Sequence, residues 1–123
     1  MSETIRSFKD LRVWQGAMEL VANVYRLSRS FPSGENYGLT PQLRRAAVSI
    51  PSNIAEGHTR ASTKGYLDHL SMAQASLAEI ETLLEIAVRL RYLLPEELTS
   101  TASEIQALGR QLHALRNSLK ARE

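Results

Sequence analysis

Three histidines, His58, His69 and His113, are the side chains in this sequence best suited to proton transfer or metal binding. Their spacing lacks the HxxxH and ExxH patterns that place two metal ligands on one face of a helix. Glu56 and Asp68 are the carboxylates nearest to a histidine, but such close neighbours on a helix point at least about 100° apart. We therefore expect no acid/base pair, and histidines that are solvated or lie at the edge of the core.

Motifs for nucleophilic catalysis and phosphate binding are also missing from the sequence. The serines fit neither a nucleophile elbow nor an SxxK motif, and the six glycines form no phosphate loop. Cysteine is absent, which excludes disulfides and thiolate metal sites. The sequence thus predicts a protein that is not an enzyme, with no catalytic residues, no metal and no cofactor.

Arginine supplies most of the positive charge, with 12 arginines, 3 lysines and a net charge of +2. Its planar guanidinium favours bidentate pairing with carboxylates or phosphates. Carboxylates on neighbouring helices or subunits are one set of partners, and phosphates of RNA or DNA are the other. The candidate nucleic-acid contacts are Arg12, Arg26, Arg29 and Arg44. In a ring of identical subunits these residues repeat around the axis, which turns a modest patch into a positive band.

Proline, glycine and capping residues mark the elements that position these side chains. They predict four helices at about residues 8–31, 41–57, 62–93 and 95–120. The boundary signals are a capping box at Ser7 and Asp10, an N-cap at Thr40 before Pro41, a cap at Ser62, and Pro95. Because the connections are short, we predict an all-α single domain, an antiparallel up-down-up-down four-helix bundle. No run approaches the roughly 20 apolar residues of a membrane span, so we expect a cytoplasmic protein without a membrane partner.

The first predicted helix carries two apolar seams, where a bundle helix needs about three apolar positions in seven. One seam is Leu11, Trp14, Met18, Val21, Tyr25 and Ser28; the other is Val13, Ala17, Leu20, Val24, Leu27 and Phe31. Either both seams pack inside the bundle, or one serves the core and part of the other meets a second subunit. The third helix has one strong seam and a partial second at Met72, Leu83, Ile86 and Leu90, whereas the fourth has one.

The second predicted helix divides into three stripes. Its core stripe is Leu43, Ala46, Ala47, Ile50 and Ile54. A stripe of small or β-branched residues, Val48, Ser52, Ala55 and Thr59, permits close approach of another helix. A polar stripe, Arg45, Ser49, Asn53, Glu56 and Arg60, has the spacing for mutual pairing of Arg60 with Glu56 and Ser49 with Asn53. The predicted subunit contact combines Arg45, Val48, Ser49, Ser52, Asn53, Ala55, Glu56 and Arg60.

Pro51 lies in the middle of this second helix. It removes a backbone donor and displaces the carbonyl of Ala47, at a cost of about 3 kcal/mol unless that acceptor finds a partner, which a nearby Ser or Asn could supply. A kink near Pro51 is one interpretation, because the core stripe passes from Ile50 to Ile54 without losing phase. A break, with Pro51 in the first turn of a new helix, is the other.

The run FPSGENYGLTPQLRRAAVSIPSNIAEGHTR, preceded by FKDLRVWQGAMEL, resembles a bacterial family of four-helix bundles. That family is named for proteins encoded in intervening sequences of 23S ribosomal RNA genes. The resemblance rests on F-x-D-L-x-V-W, Y-G-L, Q-L-R-R-A-A and S-I-P-x-N-I-A-E-G, and it covers about residues 8–93. It implies an antiparallel four-helix bundle and a ring-shaped homopentamer. A related group of accessory proteins binds nucleic acid, but those proteins are strongly basic and this chain is only mildly so.

Two hypotheses of function follow. The first is a homopentameric scaffold or adaptor without enzymatic activity, whose first two helices contribute to the subunit contact. The alternative is RNA or DNA binding through a basic surface of the assembled ring.

Overall fold

The computed structural model describes residues 4–122, and four α-helices dominate it. They are α1 (Arg12–Ser28), α2 (Leu39–His58), α3 (Thr63–Arg89) and α4 (Thr99–Lys120). Short 3-10 turns at Phe8–Asp10, Ser33–Glu35 and Pro95–Leu98 precede α1, α2 and α4. Residues 4–122 contain no β-strand. The all-α prediction is therefore confirmed.

One apolar core joins the four helices, and the periodicity of the sequence locates it correctly. All five residues of the predicted core stripe of α2 are buried. In α1 the seam that begins at Val13 faces the core, while the seam that begins at Leu11 is only partly covered. The strong seam of α3 is buried from Leu70 to Ala87, and α4 contributes Ile105, Leu108, Leu112 and Leu119. α1 therefore hides one of its two seams and leaves much of the other at the surface.

The helix starts confirm one predicted cap and correct two others. The Ser62 side chain accepts from the backbone N–H of Gly65 and caps α3 as predicted. Ser7 and Asp10 form the predicted capping box, but it caps the 3-10 turn Phe8–Asp10, and α1 begins only at Arg12. The predicted N-cap at Thr40 is wrong, because α2 already begins at Leu39. Oε1 of Glu35 caps this start by accepting from the backbone N–H of Leu39 at 3.0 Å. The cap of α2 is therefore the carboxylate of Glu35, four residues before Leu39, and not the predicted hydroxyl of Thr40.

α3 ends at Arg89, four residues before the predicted boundary, through a defined C-terminal turn. Arg91 has a φ of 65°, in the left-handed region. The N–H of Tyr92 bonds the carbonyl of Ala87, and the N–H of Arg91 bonds that of Val88. These two bonds are the Schellman motif, which satisfies carbonyls at a helix end. Arginine occupies the position where glycine is usual.

Pro51 is buried inside an unbroken α2, so the alternative of a helix break is wrong. Neither neighbouring polar side chain bonds the carbonyl of Ala47 as expected. The Ser49 hydroxyl donates to the carbonyl of Ala46 at 2.8 Å, and the Asn53 amide donates to the carbonyl of Ser49 at 2.9 Å. Both side chains therefore bond carbonyls other than the one that proline displaces.

No helix within residues 4–122 combines the length and the apolar character that a membrane span requires.

Candidate functional site

A shallow apolar groove runs between α1 and α2. It encloses about 330 Å³ and is lined by Trp14, Met18, Val21, Val48, Pro51, Ser52 and Ala55. Met18 is 44% exposed and Val48 is 42% exposed, although both side chains are apolar. The groove exists because the small side chains of α2, Ser52 and Ala55, face the larger ones of α1. It unites the outer seam of α1 with the small-residue stripe of α2, of which Val48, Ser52 and Thr59 are exposed and Ala55 is partly buried.

The polar stripe of α2 faces α3 rather than this groove, apart from the exposed Arg45. The hydroxyls of Ser49 and Ser76 lie 2.5 Å apart. Asn53 bonds His69, a residue of α3 that is only 9% exposed. Four members of the predicted subunit contact, Ser49, Asn53, Glu56 and Arg60, therefore lie where they also hold α2 against α3.

His69 is the centre of this polar cluster, and the hydrogen bonds define its tautomer. Nε of Arg60 can only donate, and it lies 3.2 Å from Nε2 of His69, which must therefore accept. Nδ1 of His69 then carries the proton and donates to Oδ1 of Asn53 at 3.0 Å, since the amide of Asn53 is already a donor to Ser49. The imidazole is thus held in one tautomer by Asn53 of α2 on one side and by Arg60, which follows the end of α2, on the other.

The predicted ion pair between Arg60 and Glu56 does not form, because both side chains turn toward His69. Oε2 of Glu56 lies 3.7 Å from Nδ1 of His69, and Arg60 uses its Nε on the opposite ring nitrogen. The expectation of a histidine at the edge of the core is confirmed for His69. Its partners come from another helix, which explains why spacing along one helix did not reveal them.

Gly57 permits the close approach of α2 and α3 beside this cluster. A Cβ at this position would lie 2.8 Å from Cβ of His69 and 3.0 Å from Cδ1 of Tyr66. The first distance is shorter than real Cβ contacts, and the second is tighter than most of them. The glycine that ends the S-I-P-x-N-I-A-E-G segment therefore has a packing role that the sequence did not show.

The four candidate nucleic-acid contacts differ in how tightly the fold holds them. Arg26 donates to Asn23, whose amide in turn donates to Glu104 of α4. Arg44 is partly buried, donates from Nε to the Ser28 hydroxyl at 2.8 Å, and stacks over the ring of Tyr25. Arg12 and Arg29 are exposed. Within residues 4–122 the one arginine that pairs with a carboxylate is Arg89, with Glu85.

A mixed exposed face lies on α3. Met72, Glu79 and Ile86 are exposed and spaced seven residues apart, so an acidic side chain lies between two apolar ones on one face of the helix. Leu90, which follows the last residue of α3, is also exposed. Gln42 of α2 donates to Glu79 at 3.3 Å, which places this face beside α2. The predicted partial seam also includes Leu83, and this part of the prediction is wrong because Leu83 is buried in the core.

The carboxylate of Glu35 and the phenol of Tyr92 form a hydrogen-bonded pair near the start of α2. Oε2 of Glu35 accepts from the hydroxyl of Tyr92 at 2.8 Å. The N–H of Leu39 and this hydroxyl lower the pKa of Glu35, and the carboxylate raises the pKa of Tyr92. The rings of Phe31 and Tyr92 pack with centroids 5.7 Å apart.

Among the described residues no three His, Cys, Asp or Glu side chains converge on a metal-sized site.

Residues 9–114 match the family model described as 23S rRNA-intervening sequence protein. The chain belongs to this family. No curated protein matched the sequence. Among solved structures, the fold is similar to a protein of unknown function from the S23 ribosomal protein family of Bacteroides thetaiotaomicron. The TM-score is 0.75 at 20% sequence identity, over 85% of this chain and 97% of that one.

The family match covers every element that lines the groove and the polar cluster. Its matched range runs from the turn before α1 through most of α4. The family resemblance inferred from the motifs of helices 1 and 2 is therefore confirmed.

Proposed function

We propose that this protein is a non-enzymatic, cytoplasmic homo-oligomer that serves as a scaffold or adaptor. The observation that carries the proposal is the apolar groove between α1 and α2, with Met18 and Val48 left more than two-fifths exposed. Exposed apolar side chains gathered in one groove are typical of an interaction surface. A second copy of the same chain is the proposed occupant.

The surface on α3 is the proposed partner of the groove in the next subunit. A cyclic ring other than a dimer requires two different surfaces on each subunit. Residues 1–60 carry eight basic and five acidic side chains, whereas residues 61–100 carry three basic and six acidic ones. Exposed Arg45 beside the groove and exposed Glu79 on the α3 face give the two surfaces complementary charge. Both surfaces border α2, which favours closure into a small ring, and the family resemblance supports five subunits.

The arrangement of the helices belongs to the same proposal. We propose an antiparallel bundle in which α2 bends near Pro51. Three contacts support opposite directions for α2 and α3, because their residue numbers fall in one helix as they rise in the other: Gln42 with Glu79, Ser49 with Ser76, and Asn53 with His69. A bend is supported by the missing donor and the ring of Pro51 within a continuous helix.

Substitution of Val48 tests whether the groove forms the contact. Val48→Arg places a charge in the groove without touching the core, and it should lower the mass measured by light scattering. Ser118→Arg adds the same charge at an exposed position of α4 and should leave the mass unchanged. If both variants keep the wild-type mass while circular dichroism shows an intact fold, the groove is not the subunit contact.

Binding of RNA or DNA is the second candidate function. It is favoured by the arginines of α1 and α2, which pair with no carboxylate within the described chain. Titration with structured RNA at several salt concentrations tests it, since phosphate contacts weaken steeply as salt rises. Arg12→Gln and Arg29→Gln should reduce the affinity and the salt dependence. A lack of binding at low salt would remove this candidate and leave the scaffold.

A further inference from the structure

A second pocket, which shares Val48 with the groove, lies where the end of α1 meets the start of α2. It encloses about 580 Å³, within the range of roughly 300–1,000 Å³ that small-molecule sites occupy. Its walls include Tyr25, Thr40, Arg44, Arg45 and Ser49. Two arginines line this pocket and no acidic residue does.

Arg44 is held in place before any ligand arrives. Its Nε donates to Oγ of Ser28, and its guanidinium carbon lies 4.6 Å from the centre of the Tyr25 ring. Ser28 is itself fixed, because its hydroxyl donates to the carbonyl of Tyr25 at 3.1 Å. These contacts occupy one nitrogen and one face of the guanidinium. The two terminal nitrogens keep their hydrogens for a planar, bidentate partner.

The positive charge of this partly buried arginine has no carboxylate partner in the described part of the chain. Neither Arg44 nor Arg45 forms an ion pair there. Thr40 adds an independent observation: it is only 9% exposed, lines the pocket, and its hydroxyl has no hydrogen-bond partner. Buried hydroxyls are ordinarily satisfied, so a donor is available once the Thr40 side chain rotates toward a ligand oxygen.

We propose that this pocket binds the phosphate group of a small phosphate ester. Arg44 takes the phosphate through its two terminal nitrogens, exposed Arg45 adds a second cation, and Thr40 and Ser49 supply hydroxyls. The apolar part of the wall, Pro41 and Val48, contacts the remainder of the ester. The same phosphate chemistry occurs in an RNA backbone, and the experiment below separates the two sources. Arg45, Val48 and Ser49 also belong to the predicted subunit contact, so the pocket lies at its edge and the assembly state must be measured on the same samples.

Calorimetric titration of the full chain with inorganic pyrophosphate tests this site, with structured RNA titrated in parallel. We expect saturable pyrophosphate binding that weakens about tenfold or more in Arg44→Gln, by the loss of one charge-assisted bidentate contact. Arg45→Gln and Thr40→Val should weaken it less. Arg110→Gln, which removes an exposed arginine of α4 outside the pocket, should change the affinity by less than about twofold.

Arg44→Gln also removes the contacts to Ser28 and Tyr25, so the exposed Arg45→Gln is the variant that does not depend on local folding. Binding that is not saturable, or that is reduced equally by Arg110→Gln, would overturn the site. If the protein binds RNA through Arg44 but does not bind pyrophosphate, the proposal of a small phosphate ester is wrong. The phosphate that Arg44 binds would then be that of the RNA backbone. Light scattering on the same samples keeps this result separate from the question of assembly.

Discussion

Tyr92 donates its hydroxyl to Oε2 of Glu35 at 2.8 Å and so links the segment after α3 to the loop before α2. Oε1 of the same carboxylate caps α2 through the N–H of Leu39. One acidic side chain therefore fixes the start of a helix and its distance from a chain segment 57 positions away. The connection explains why a glutamate is useful in the SGENYG turn.

This pair predicts a pH-dependent part of the stability. The pKa of Glu35 is lowered by the Leu39 N–H and by Tyr92, so its carboxylate stabilises the fold above the ordinary value of 4.5. That contribution should be lost as the pH falls through the lowered pKa. Thermal unfolding of Glu35→Gln should show a lower Tm near neutral pH and a smaller difference from wild type in acid. An equal difference at every pH would contradict the assignment; Glu19→Gln is the control for an exposed glutamate on α1.

Gly57→Ala should destabilise the protein although alanine is the better helix former. The added methyl would lie 2.8 Å from Cβ of His69, a contact with little room to relax, and overpacking of this kind costs about 1–3 kcal/mol. Gly16→Ala is the matched control in α1, where the nearest atom is Cδ1 of Leu108 at 3.8 Å. We expect the free energy of unfolding of this control to rise by up to about 1 kcal/mol, because alanine has a higher helix propensity than glycine. Urea unfolding of both variants measures the difference, and two stabilised variants would show that α2 and α3 are not in such close contact.

Arg91→Gly should stabilise the protein. Arg91 has a φ of 65°, a conformation that costs a residue with a side chain about 1–2 kcal/mol and costs glycine little. Glycine also gives the unfolded chain more conformational entropy, which offsets part of this gain. We expect the free energy of unfolding to rise by about 0.5–1 kcal/mol in total. Arg110→Gly makes the same exchange inside α4, where the backbone is helical, and it should instead lower the free energy of unfolding by about 1 kcal/mol. A loss of similar size in both variants would refute the left-handed turn at the end of α3.

The tautomer of His69 is a spectroscopic prediction. Nitrogen NMR should find Nδ1 protonated and Nε2 unprotonated, because Nε2 accepts from Arg60. Arg60→Ala removes that donor and should change the Nε2 signal without moving Nδ1 as far. A proton on Nε2 in the wild-type protein would mean that Arg60 and Asn53 do not hold the ring as described.

The sequence located the core because helical periodicity is local. Leu43, Ile50 and Ile54 share a face whatever the neighbours are, and all are fully buried. Periodicity also distinguished the two seams of α1, but not which of them faces inward. That choice depends on how α1 is rotated against α2 and α4.

The missed features depend on contacts between elements that are distant in sequence. The partners of His69 are Asn53 on α2 and Arg60 just after its end, and Glu35 bonds Tyr92, 57 positions away. The local pattern of Thr40 and Pro41 predicts a cap at Thr40, but α2 starts one residue earlier and Glu35 caps that start. The spacing of Glu35 and Leu39 was the available signal for that cap. No spacing rule links Arg44 to Ser28 and Tyr25, so the pocket they form could only be found in three dimensions.

The native mass of the unmodified protein tests the central claim most directly. We propose that a second copy covers the exposed α1–α2 groove, so light scattering on the purified full chain at micromolar concentration should give a multiple of the chain mass of 13.7 kDa. The family resemblance predicts that this multiple is five. A mass of 13.7 kDa that does not rise with protein concentration would contradict the account.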